Sequence, residues 1–214
     1  MWVSTLILIV FLVGWGMAHS LLASLTVKDW TRRVFGSSAE RWYRLVYNMI
    51  AVVTILPLFS MLHVLPDHAL YVVPSPWRWL MVAGQVLALA GVGTTLLQTN
   101  LWHFWGLVQL LSDRPHESGS LVARGFYGWV RHPLYFFSLA FLWLTPAVSA
   151  NLLTTYSLFS LYFYVGSICE ERRLVFEFGQ AYQAYQHEVP RLIPRPWRRG
   201  RAVRGFVLKN RQVS

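Results

Sequence analysis

One cysteine, Cys169, and 13% charged residues are what the 214-residue chain has least of. A single thiol excludes an internal disulfide framework and favours no redox compartment. So little charge excludes an ordinary soluble globule, in which charged residues make up about a quarter. The histidines are scattered and lack the spacing of a metal site. No nucleic-acid motif accompanies the net charge of +10, and no internal repeat or separate soluble domain stands out. The basic balance has a simpler source, because membrane proteins collect Lys and Arg in their cytoplasmic loops.

What the chain has in abundance is apolar sequence, at 55% and in blocks. Long runs nearly free of charge alternate with short runs holding almost every Lys and Arg. A spanning helix needs about 20 apolar residues, and five spans are expected: 2–24, 45–65, 77–97, 133–147 and 152–169. The first lacks a basic leading region and is too long and aromatic for a secretory signal, so it is read as retained. Within it, His19 is read as interfacial or bonded to a neighbouring helix. Residues 25–44 interleave Lys28, Arg32, Arg33, Arg41 and Arg44 with Trp30, Phe35, Trp42 and Tyr43, as in a segment lying along headgroups. Gly84, Gly91 and Gly93 predict close helix approach in the third span.

Lys and Arg are rich in alternate connections. Residues 66–78 hold Arg78 alone, whereas the chain after residue 170 holds the largest share. The expectation is an all-α protein of the bacterial inner membrane, with its N-terminus outside and its C-terminus in the cytoplasm. Residues 1–198 are read as one transmembrane domain and 199–214 as a flexible basic tail touching anionic lipid.

Two pieces of the chain carry polar chemistry. Arg131-His132-Pro133 predicts a helix start at Pro133, since proline suits the first helical position. A cation, a titratable ring and free N–H groups there make an anion site, although Arg131 could instead anchor the helix to headgroups. Forty residues on, Glu170-Glu171 closes an apolar span, and acids near a membrane usually pair or bind something. At helical spacing Glu170 shares a face with Gly166, Phe163 and Tyr162, which describes a pocket. Glu171 points elsewhere and pairs with Arg172, Arg173 or an upstream Arg. An anion site and an acid one hairpin apart suit a zwitterion with aromatics near its cation, and S-adenosylmethionine is such a ligand. The pocket is expected on the cytoplasmic side, built by the last helical hairpin and a C-terminal amphipathic helix carrying Tyr182 and Tyr185.

The ordered set Leu121-Val122, Gly125-Phe126-Tyr127, Arg131-His132-Pro133-Leu134-Tyr135, Glu170-Glu171, Leu174, Phe178-Gly179, Tyr182, Tyr185 and Val189-Pro190 resembles the isoprenylcysteine carboxyl methyltransferase superfamily. Those are integral membrane methyltransferases, and phospholipid N-methylating enzymes are among them. The likeness covers roughly residues 119–195. It implies an S-adenosylmethionine pocket that Leu121 and Val122 line through their backbone and that Tyr127, His132, Tyr135 and Glu170 contact. Gln109 corresponds to a family glutamine at a longer spacing. One departure is Gly166, where the prenylcysteine enzymes carry a substrate-contacting Arg. The stretches His19–Ala23, Tyr43–Asn48 and His103–Leu107 are similar to the methanethiol S-methyltransferase branch, which methylates a small thiol.

The resemblance implies in-line attack on the sulfonium methyl by a small or lipophilic acceptor, a thiol first. Alignment carries such a reaction, since the electrophile arrives activated. A thiol titrates near about 8.5 and needs help to become thiolate. His103 is the candidate base, with a capping or interfacial histidine as its alternative. A lipid amine or prenylated thiol remains open as acceptor. So does a non-catalytic protein like the membrane proteins of nitric-oxide regulons.

Overall fold

The computed structural model describes residues 2–36, 38–99, 121–122, 125–195 and 207–208. Among them are seven α-helices and two short two-stranded sheets, so the helical expectation holds. Four helices are long and apolar enough to cross a membrane. The described residues fall into two compact units, one containing 2–36, 38–75 and 146–160, the other 76–99, 121–122, 125–145, 161–195 and 207–208.

In the first unit, α1 (Trp2–Ala23) buries Ser4, Leu8, Leu12 and Gly16, one residue per turn. That stripe packs Leu8 and Leu12 against Leu58, with Ile55, Leu158 and Phe159 around them. The rest of α1 is apolar yet exposed, including Trp2, Leu6, Val10 and Met17. A helix apolar on all sides suits lipid. Ser24 caps α2 (Leu25–Phe35), its hydroxyl accepting from Val27 N at 3.4 Å. The basic residues Arg32 and Arg33 fall in the last turn of α2, where the helix dipole favours them. α3 (Ser38–Val64) runs through Pro57. Tyr47 OH lies 2.6 Å from His19 Nε2, so His19 is bonded to a neighbouring helix as read from sequence.

The connection expected as a plain loop holds β1 (Ala69–Val72). It pairs antiparallel with β3 (Ala147–Ser149), in the register Tyr71 to Val148 and Val72 to Ala147. Directly after β3 starts α6 (Ala150–Phe178). Its first N–H groups are bonded from the β1 side: His68 O accepts from Ala150 N at 3.1 Å and Asp67 Oδ1 from Asn151 N at 3.1 Å. An acid there also meets the positive end of the helix dipole.

In the second unit, α4 (Trp77–Gln98) packs along α5 (Pro133–Trp143). Gly84 and Gly91, two turns apart on one face, make the approach possible. A Cβ at Gly84 would lie 2.8 Å from the Leu144 side chain, and one at Gly91 would collide with the Phe137 ring. Gly93, expected to act likewise, faces open space. Gln85 Nε2 donates to Phe141 O at 3.0 Å and Thr145 Oγ1 at 3.2 Å, closing the end of α5. Pro133 starts α5 as expected, but the helix stops at Trp143, with Leu144 as its C-cap, Pro146 two residues beyond and Ala147 already in β3. The fourth apolar helix is therefore 11 residues long, shorter than the span expected over 133–147.

α6 reaches Phe178, and Gly179, at φ +60, turns the chain into α7 (Gln180–Glu188). Only glycine adopts that backbone without strain. Tyr182, Tyr185 and Val189 then pack onto Leu174, Val175 and Phe178. β2 (Leu121–Val122) pairs antiparallel with β4 (Val207–Leu208). Two residues of the stretch expected as a loose tail thus form a strand.

Candidate functional site

The site lies where the lead-in to α5, the far end of α6 and the turn after α7 meet. Arg131 N donates to Pro190 O at 2.9 Å and His132 N to Arg191 O at 3.1 Å, so backbone pairing fixes both strands of chain before side chains act. Tyr185 OH adds a bond to Tyr127 O at 2.6 Å.

Glu171 is the hub. Its side chain is 3% exposed and accepts from Arg131 Nε (2.8 Å) and Nη2 (3.1 Å), His132 Nε2 (3.1 Å), Gln186 Nε2 (3.0 Å) and Arg191 Nη2 (3.0 Å). The Arg131 pair is bidentate, the strong form of this contact. Arg131 Nη1 donates to Gln186 O at 2.8 Å and also to Val189 O. With its side chain 8% exposed, Arg131 is turned inward and grips the protein. Sequence left its partner open among several, and Glu171 proves to bond this upstream arginine instead of Arg172 or Arg173.

Glu170 has the opposite surroundings. Its side chain is 46% exposed, with Oε2 3.5 Å from His132 Nδ1 and 3.2 Å from Tyr135 OH. Its Oε1 takes no hydrogen bond from the described residues. His132, Tyr135 and Phe163 form a ladder of nearly parallel rings, with centroids 5.3 and 5.0 Å apart. One turn before Glu170, an added Cβ on Gly166 would meet no atom within 4 Å. A half-open carboxylate, a stacked aromatic wall and free space beside them can take a cation carrying an apolar or planar body.

The electrostatics follow from this packing. Burial pulls the His132 pKa down, but hydrogen bonds to Glu170 and Glu171 and the charges of both carboxylates outweigh it and raise the value above 6.5. Burial and the Glu170 charge push Tyr127 up to about 12. Burial also raises Tyr182 and Tyr185, so all three phenols stay neutral. The hydrogen bond to Glu171 raises Arg191.

Of the residues read from sequence, Arg131, His132, Tyr135 and Glu170 form one bonded cluster, with Tyr127 near enough to feel the Glu170 charge. Leu121 and Val122 lie on the β2–β4 pair. His103 and Gln109 lie outside the described residues. Sequence reading missed Gln186 and Arg191. The one signal for Arg191 was its position directly after the Val189-Pro190 helix stop.

These features define a helical protein of membrane character, with a charged, half-open site built from helix ends. Residues 2–189 match the family described as protein of unknown function (DUF1295), and the chain belongs to that family. It is 30% identical over 184 residues to the methanethiol S-methyltransferase of a Pseudomonas species, covering 83% of this chain and 68% of that protein. The Mycobacterium tuberculosis protein of that name is 30% identical over 199 residues, covering 89% and 78%. That of Crocosphaera subtropica is 25% identical over 203 residues, covering 90% and 76%. These relatives are consistent with the methanethiol branch of the isoprenylcysteine methyltransferase-like superfamily. No solved structure matches the chain.

Proposed function

We propose that the chain is a membrane-embedded, S-adenosylmethionine-dependent methyltransferase whose acceptor is a small or lipophilic thiol. The relatives' shared name supports the reaction class. The observation that carries the site is the division between two adjacent acids: Glu171 is buried and saturated, while Glu170 is half exposed with an oxygen to spare. That open carboxylate beside the His132–Tyr135–Phe163 stack and the space at Gly166 fits a donor bearing both ammonium and sulfonium.

The residues assigned to hold the donor are Tyr127, His132, Tyr135 and Glu170, with Leu121 and Val122 through their backbone, and Gln109. Arg131 contributes by fixing Glu171. When bound, S-adenosylmethionine supplies a methyl group already activated on a cationic sulfur. What remains for the chain is to orient the two reactants and exclude water. His103 is assigned to assist loss of the thiol proton.

We place the protein in the bacterial inner membrane with five crossings, the N-terminus outside and the C-terminus in the cytoplasm. The β1–β3 pairing supports putting the connections at 66–76 and 147–149 on one side, where basic residues are scarce. Glu170 lies about 30 Å along α6 from Ala150 at 1.5 Å per residue, about the hydrocarbon thickness, so it emerges at the other surface. α5 covers only about 16 Å at that rise, and the residues before β3 complete its crossing. Residues 1–198 act as one domain in this reading, and the tail contacts anionic lipid.

The test is incubation of the full chain in detergent with methyl-labelled S-adenosylmethionine and a panel of small thiols, prenyl thiols and lipid amines. Label is expected in a thiol. Label in a lipid amine corrects the acceptor. Absence of any calorimetric signal with the donor and its demethylated product ends the enzyme reading.

A further inference from the structure

The two adjacent acids of α6 cannot share one task. A carboxylate offers about four lone-pair positions, and Glu171 already accepts from five donors. It has no capacity left for a ligand. Its donors come from three places: Arg131 and His132 before α5, Gln186 on α7, and Arg191 in the turn beyond.

Resting on the donor-binding reading above, we propose that Glu171 is a positioning residue that holds the His132 ring as a double donor, with Nδ1 aimed at Glu170. The ring stands between the two acids, Nε2 at 3.1 Å from Glu171 and Nδ1 at 3.5 Å from Glu170. With acceptors on both sides, the imidazole keeps a proton on each nitrogen. The groups facing the ring are Glu170 and Glu171 from α6 and the stacked Tyr135 from α5, while Arg131, Gln186 and Arg191 reach it through Glu171. The raised His132 pKa agrees with this arrangement.

The consequence falls on Glu170. A doubly protonated ring gives its Oε2 a charged donor beside the Tyr135 hydroxyl. The carboxylate then stays ionised and oriented, and its free oxygen points to whatever cation the site takes. Without Glu171 the ring is more readily neutral, and even with its one proton on Nδ1 it no longer offers Glu170 a charged donor. The half-open acid would then move or take up a proton. Glu171 so acts on ligand binding without touching the ligand.

The variant E171Q tests this, because it keeps the shape while placing an amide among donors. Its His132 titration, read by imidazole NMR on the full chain in detergent, is expected to fall towards 6.5. The Kd for the demethylated donor is expected to weaken about tenfold, with the loss growing as pH rises. Lower thermal stability with an unchanged His132 titration would mean that Glu171 is structural only, and would overturn the proposal. Because the NMR arm needs no ligand, it still decides the matter if wild-type protein binds no donor, a result that counts against the proposed function alone. Should E171Q fail to fold, R191M loosens Glu171 from a side chain that is 32% exposed. It takes a cation away from the Glu171–His132 pair, so the His132 pKa is expected to rise and donor binding to persist to higher pH. No change in either measurement overturns the proposal.

Discussion

Asp67 and Asn151, far apart in the chain, are joined by a 3.1 Å hydrogen bond that ties the carboxylate of one connection to the first turn of α6. The same Oδ1 accepts from His68 N at 2.8 Å, and Asn151 Nδ2 returns a bond to Pro66 O at 3.3 Å. The long helix that carries Glu170 and Glu171 is therefore anchored at its start by a residue from the connection that holds β1.

Asp67→Ala should remove this cap and cost about 1 kcal/mol, as loss of an N-terminal cap does. Burial pushes the Asp67 pKa up, but bonds from Ser149, Asn151 and His68 bring it below 3.8 overall. A carboxylate held low stabilises the fold above its unfolded pKa, and that share is lost as pH falls through the folded value. Melting in detergent at acid pH should thus show a smaller decline for D67A than for wild type. Parallel declines would mean that the cap carries no stability.

His132 runs the other way. Its folded pKa is raised above 6.5, so its contribution is complete below 6.5 and is lost as pH rises through the folded value. Thermal stability is expected to drop as pH rises above 6.5 through that folded value. The variant H132N should flatten that part of the profile, and a wild-type curve flat from about pH 6 to 9 contradicts the assignment.

The two ends of the Arg131–Glu171 and His132–Glu170 contacts should fail differently. Arg131→Met leaves the buried Glu171 with three of its five donors and should cost up to about 3 kcal/mol, seen as lost yield and a lower melting temperature. Glu170→Gln removes a half-exposed charge and should change stability by no more than about 0.5 kcal/mol. Its expected effect is loss of calorimetric binding of the methyl donor. If Glu170→Gln bound the donor as wild type does, the open carboxylate would have no part in the site.

Two glycines on different helices separate packing from space. Gly91→Ala drives a methyl into the Phe137 ring and should cost about 1–3 kcal/mol by overpacking. Gly166→Ala meets no neighbour, and helix propensity favours it by up to about 1 kcal/mol. A Gly166→Ala protein that melts as low as Gly91→Ala would show that the space beside Glu170 is filled.

Much of the frame was legible along the chain. The apolar blocks marked the long helices, and Pro133 marked the start of α5. Gly84 and Gly91 showed where α4 would be approached, since two turns put them on one face. Such signals are local, because helical periodicity and backbone freedom are properties of neighbouring residues.

Local pattern alone makes this chain helical, suits it to a bilayer and puts Arg131, His132, Tyr135, Glu170 and Glu171 near helix ends or the close of an apolar run. Folding then settled which acid is open and which is sealed, turned Arg131 inward, and brought Arg191 and Gln186 to it. It also decided that β1 and β3 pair and that α5 ends at Trp143, ahead of that strand. The reason is that charge pairing and strand pairing depend on groups brought together from distant positions. Adjacent glutamates point about a hundred degrees apart on a helix, and only the surrounding chain sets what each one meets.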